Sequence, residues 1–153
     1  MFAAVDARVK APFLIVETGQ PVRSMRRYGG FPHWIRVAAG LEAGETVVAN
    51  VERGDALPGR EGFAGVIVSG SAAMVTDRAD WSERSAEWLR EAAHEGLPLL
   101  GICYGHQLLA HALGGEVAYN PAGRESGTVH IDLHPPAQDD PLFSALPLKF
   151  TAH

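Results

Sequence analysis

Pro98-Leu-Leu-Gly-Ile-Cys-Tyr-Gly-His-Gln-Leu-Leu-Ala-His-Ala-Leu-Gly-Gly115 sets an apolar run, a Gly-x-Cys-x-Gly turn and a helical pattern end to end. Leu97, Leu99, Leu100 and Ile102 predict a short strand around Pro98, and Leu108, Leu109, Ala112 and Leu113 recur at helical spacing until Gly114 and Gly115 stop the helix. Cys103 stands at the junction. Gly101 and Gly105 remove side chains where a sharp, strained turn brings backbones together, which leaves the thiol exposed at the carboxyl end of the strand as a nucleophile elbow. A cysteine is also commonly a small buried hydrophobe, and the paired glycines at a strand-to-helix junction favour the elbow.

A helix N-terminus carries roughly half a positive charge, and its free N–H groups favour the thiolate of a cysteine whose ordinary pKa is about 8.5. The same groups stabilise a developing oxyanion. The amide of Tyr104 is therefore a candidate donor beside Cys103, and removing one such donor typically costs about 100- to 1000-fold in rate.

Upstream of the elbow, Asp80-Trp-Ser-Glu83 predicts a capping box with Asp80 as the cap and Glu83 reaching back to it. The helix that follows runs to Gly96, with Trp81, Trp88, Leu89, Ala92 and Ala93 on one core-facing stripe. Phe63-Ala-Gly-Val-Ile-Val-Ser69 predicts a strand leaving into Ser69-Gly70-Ser71, and Thr46-Val-Val-Ala-Asn-Val51 predicts another. His33, Trp34, Val37, Ala38 and Leu41 give a helical stripe closing near Gly44, and Phe13-Leu-Ile-Val16 is the first strand, followed by a loop over 17–32. Downstream, Glu116-Val-Ala-Tyr119 reads as a short strand and 120–127 as a loop. Thr128-Val-His-Ile-Asp-Leu-His134 alternates as a strand with one wet face, halted by Pro135-Pro136. A capped turn at Asp139–Phe143 and the start of another strand at Leu148–His153 complete the pattern. Alternating strands and helices predict a parallel sheet whose site lies at the strands' carboxyl ends, where Ser69-Gly70 and Cys103 fall.

The 153 residues make one domain, long enough to bury about 68–70% of the unfolded surface. A single cysteine forms no intramolecular disulfide, in keeping with a reducing compartment. Met1–Lys10 mixes acid and base and lacks the apolar centre of a secretory signal, and no run reaches the ~18 apolar residues of a membrane helix, so the expected location is cytoplasmic. A formal net charge of −5, with no basic cluster beyond Arg23, Arg26 and Arg27, argues against nucleic acid as a partner.

Gly101-Ile-Cys-Tyr-Gly-His-Gln107 resembles the nucleophile motif of the class I glutamine amidotransferases, which hydrolyse the side-chain amide of glutamine and deliver ammonia to an acceptor. Val66-Ile-Val-Ser-Gly-Ser71, Met74-Val-Thr-Asp77, Gly115 and Gly123-Arg-Glu-Ser-Gly127 fall in the order such domains show, so the resemblance covers the chain from about its first strand to its last residue. It implies an α/β, flavodoxin-like, doubly wound fold, with a mainly parallel sheet and helices on both faces. It also implies Cys103 as nucleophile, the backbone N–H groups of Gly70 and Tyr104 as oxyanion hole, and Gln107, Ser69 and Ser71 as the substrate-binding residues, with no metal and no organic cofactor. Glu125 and Gly127 match a Glu-x-Gly feature near the family's glutamine pocket.

Two departures stand out. Many members have Gly-Gly-Pro where this chain has Ser69-Gly70-Ser71, and the family completes a Cys-His-Glu triad with a downstream His-x-Glu that no residue after Cys103 forms. Phe150-Thr-Ala-His153 resembles the strand preceding that motif, so residues 1–153 are expected to be a domain incomplete at its C-terminus, with His153 given no role. His106, three residues after the cysteine, is a weaker candidate base because a base must reach the thiol in good geometry. His130, Asp132 and His134 share a strand face, which reads as a solvated face in the absence of a fourth ligand.

The expected function is glutamine hydrolysis through a Cys103 thioester. Glutamine is the expected substrate and an ammonia-accepting synthetase domain or subunit the expected partner, with a homodimer left open. A γ-glutamyl hydrolase or related cysteine peptidase would use the same elbow. An α/β-hydrolase would need Asp139 or Asp140 with His153 as partners, and a non-catalytic regulatory domain is the remaining alternative.

Overall fold

A computed structural model describes residues 11–123 and 127–152, which divide between two units meeting at Ala118 and Tyr119. The first unit holds a four-stranded parallel sheet in the order β2-β1-β3-β4, built from β1 (Phe13–Glu17), β2 (Thr46–Asn50), β3 (Gly65–Val68) and β4 (Leu99–Gly101). Helices α1 (Phe31–Ala39), α2 (Asp80–His94) and α3 (Tyr104–Ala112) connect and follow them.

Strand residues alternate between the two faces, and each face buries its own set. Leu14, Val16, Val66 and Val68 pack with Leu89 of α2 and with Tyr104, Leu108 and Ala112 of α3, while Ile15 and Ile67 meet Ile35 of α1. Helices therefore cover both faces, as the continuous apolar runs of β1 and β3 predict. Trp81 and Trp88 lie against the first cluster, and the Trp88 indole N–H donates to the Pro58 carbonyl at 2.8 Å.

Several local expectations are corrected. Helix α1 stops at Gly40, in the left-handed region at φ 65°, rather than near Gly44, and 43–45 form a short 3-10 turn closed by a Glu42/Glu45 capping box. No capping box forms at Asp80: Ala79 is the cap residue and Asp80 the first residue of α2. The Glu83 carboxylate is drawn instead to His111 and Arg78, where two charge-assisted partners outweigh one backbone N–H. Residues 116–119 form no strand.

The second unit is a two-stranded antiparallel ribbon of β5 (Val129–Asp132) and β6 (Lys149–Ala152), with Ile131 opposite Phe150. Asp140 Oδ1 accepts from the Leu142 and Phe143 amides and makes the capped turn predicted there. Among the described residues, no helix is long and apolar enough to cross a membrane.

Candidate active site

β4 ends at Gly101, and two residues later the chain turns into α3 at Cys103, whose backbone stands at φ 54° and ψ −106°. A non-glycine residue held there costs of order 1–3 kcal/mol and persists only where its surroundings over-determine it. The two glycines supply that constraint. A methyl on Gly101 would lie 2.5 Å from the Gly105 carbonyl group and the His106 nitrogen, and one on Gly105 would overlap the Val68 carbonyl oxygen. The elbow is pressed directly onto β3, and the Cys103 thiol is left exposed.

Gly70 completes the other side. Along β3 the amides alternate: Val66 donates to Pro98 on the β4 side at 2.8 Å, and Ser69 donates to Val16 on the β1 side at 3.0 Å. Continued one residue past Ser69, that alternation would turn the Gly70 N–H to the β4 side, where the ladder has ended and Cys103 begins. A methyl built on Gly70 would sit 3.7 Å from Cys103 Cβ. Among the described residues, neither the Gly70 nor the Tyr104 amide donates to a protein acceptor, whereas the Gly105 amide is taken by the Ser69 and Ile102 carbonyls at 3.1 and 2.9 Å.

The side chain of Tyr104 points inward, 2% exposed, with its hydroxyl 2.7 Å from Ser82 Oγ and its ring 5.6 Å from that of Trp81. Burial pushes its phenol above the ordinary value, against the opposing hydrogen bond with Ser82. This anchor fixes the first turn of α3 against α2. Gln107 is half-buried one turn after Cys103, and its backbone N–H donates to the Cys103 carbonyl at 3.2 Å.

Ser69 and Ser71 both bond to nearby backbone. The Ser69 hydroxyl is buried, accepting from the Thr18 amide at 3.0 Å and donating to the Gly70 carbonyl at 3.1 Å. The Ser71 hydroxyl accepts from the Ala73 amide at 3.0 Å and packs against Gly19. Thr18, fully buried, has no motif to announce it, and sequence reasoning missed it.

His106 is exposed. His130 and Asp132 lie on β5, where Asp132 pairs with Lys149 across the ribbon at 3.2 Å, and among the described residues no three potential ligands cluster closely enough to hold a metal. Glu125 and His153 lie outside the described residues, and Gly127 belongs to the second unit.

A charged cluster fastens the far half of α3. His111 Nε2 lies 3.1 Å from Glu83 Oε1 and 2.7 Å from Arg78 Nη1, and Arg78 Nη1 donates to Glu83 Oε2 at 3.2 Å. Burial raises the Glu83 pKa, but the hydrogen bond and charge of His111 and the charge of Arg78 outweigh it, leaving the carboxyl below its ordinary 4.5. A lowered carboxyl contributes stability that is complete above the ordinary value and is lost as pH falls through the lowered one. With Glu83 40% exposed, screening limits the contribution to about 0.5–1 kcal/mol. Glu83→Gln is expected to be less stable than wild type by that amount at about pH 6 and to match it at about pH 2, on either side of the glutamate range. Urea melts at the two pH values check this.

Residues 31–152 match the family model described as glutamine amidotransferase class-I. A glutamine-hydrolysing GMP synthase of Thermomicrobium roseum is 44% identical over 87 residues, which are 56% of this chain and 15% of that protein. The corresponding enzyme of Aeropyrum pernix is 47% identical over 80 residues, or 52% of this chain and 14% of that one. The chain thus spans about a seventh of the length of these curated relatives. Among solved structures, a glutamine amidotransferase from Thermotoga maritima has a TM-score of 0.68 at 18% identity, covering 92% of this chain and 58% of that one. Another from Methylobacillus flagellatus has 0.70 at 23%, covering 92% and 53%. At these identities the two structures speak for the fold alone.

Proposed function

Because this chain belongs to the class I glutamine amidotransferases, we propose that it hydrolyses the side-chain amide of glutamine through a thioester on Cys103. The Cys103 sulfur adds to the carboxamide carbon and the carbonyl electron pair moves onto oxygen, which the Gly70 and Tyr104 amides hold. Collapse of this intermediate breaks the C–N bond, and ammonia departs with the proton lost by the thiol. Water then adds to the γ-glutamyl thioester, and glutamate leaves as the thiol is restored. Gln107, one turn along α3, is assigned to the bound glutamine.

The observation that carries this reading is the strained elbow at Cys103 with two free amides beside it, one from β3 and one from α3. Relatives named as glutamine-hydrolysing GMP synthases support an ammonia-accepting synthetase domain or subunit as the partner.

Incubating the protein with glutamine, asparagine and a γ-glutamyl anilide in parallel tests the substrate. Ammonia and glutamate in equal amounts from glutamine, with about 100-fold less from asparagine, is the expected result, because one missing methylene moves the amide out of register with the sulfur. Faster cleavage of the anilide than of glutamine would assign the elbow to a γ-glutamyl hydrolase.

A further inference from the structure

Thr18 lies immediately after β1 with both its amide and its hydroxyl buried, and everything it bonds belongs to the β3 turn. Its amide donates to Ser69 Oγ at 3.0 Å and its hydroxyl donates to the Ser69 carbonyl at 2.9 Å, while Ser69 Oγ donates to the Gly70 carbonyl at 3.1 Å. The Thr18 hydroxyl also lies 3.2 Å from the Gly70 carbonyl, which closes the circuit. It grips the two carbonyls on either side of Gly70. A trans peptide sets N–H opposite C=O, so holding the Ser69 carbonyl on the β1 side holds the Gly70 N–H on the Cys103 side. Without that grip the Ser69 carbonyl keeps the Gly105 amide, at 3.1 Å, as its partner on the α3 side, and the glycine that follows adopts either sign of φ at little cost.

We propose that Thr18 is a positioning residue for catalysis: through Ser69 it fixes the Gly70 amide in the orientation that receives the oxyanion. The assignment rests on the reading of Cys103 and Gly70 under Proposed function. Thr18 touches neither substrate nor sulfur and acts only through the peptide it clamps.

The test uses butyraldehyde, which has the same four-carbon run as glutamine from Cα to Cδ. The Cys103 sulfur bonds to the aldehyde carbon, the carbonyl π pair moves onto oxygen, and the thiol proton is taken up there, placing a tetrahedral oxygen where the oxyanion would form. In ¹⁵N-labelled wild type, the Gly70 and Tyr104 amide proton resonances are expected to move together as the adduct forms. In Thr18→Val the Tyr104 shift remains, the Gly70 shift is lost, and adduct affinity falls about tenfold, a fraction of the 100- to 1000-fold that losing a donor outright costs. Thr18→Ser, which keeps the hydroxyl, restores both. In ammonia release the same loss falls on kcat and leaves KM unchanged.

A Gly70 shift in Thr18→Val equal to that of wild type overturns the proposal and leaves the Cys103 reading intact. A wild-type adduct that moves neither amide overturns the oxyanion reading itself. Should Thr18→Val fail to fold, Thr18→Ala removes the same hydroxyl and carries the same expectation.

Discussion

Cys103→Ala is expected to lower ammonia release from glutamine by on the order of 10⁴-fold or more, because no other group in the site can form the thioester through which the reaction is split. The chain has no second cysteine to substitute for it. The fold should survive unchanged, since the thiol is exposed and makes no hydrogen bond among the described residues. Alanine at φ 54° is no more strained than cysteine, as both carry a Cβ. A coupled ammonia assay on the two proteins, with rapid-quench mass spectrometry for a γ-glutamyl adduct on the wild type, checks the expectation. Equal and slow release from both would remove the enzymatic reading and leave a non-catalytic domain.

Gly105→Ala is the substitution expected to do most damage to stability. The added methyl would overlap the Val68 carbonyl oxygen and come within 2.8 Å of Val68 Cβ, both part of a strand paired on each side. Neither neighbour is the free end of a flexible side chain, so relief requires moving α3 off the sheet. Tyr104, Leu108 and Ala112 would then leave the core with it. Overpacking of this kind costs about 3 kcal/mol or more, and in a domain of this size the thermal midpoint would fall by roughly 10 °C. Urea melts of wild type and Gly105→Ala measure the difference. A loss under about 1 kcal/mol would show that the elbow is not pressed onto β3 as described.

The elbow was legible because its constraints are local. A strand, two glycines four residues apart and a helix are all contained in 98–115, and φ/ψ strain at Cys103 follows from their succession. The parallel sheet was legible from apolar runs at β1 and β3 with helical stripes between them. Capping was not. Asp80 and Glu83 have the spacing of a capping box, but the partner that claims the Glu83 carboxylate is His111, 28 residues further on and on a different helix. The strand expected at 116–119 failed for a related reason: a few residues of β-propensity form a strand only where a sheet edge offers them a partner.

The site shows the same division. Which residue stands at the strained elbow, and which glycines make room for it, could be read from residue types at fixed spacing, because backbone sterics act between residues close in the chain. What the two serines do could not. Ser69 is closed in a circuit with Thr18, 51 residues earlier, which carries no pattern of its own. A hydroxyl's role is set by whichever buried donor or acceptor it meets, and that meeting is arranged by the pairing of β1 with β3, which brings two distant strand ends side by side.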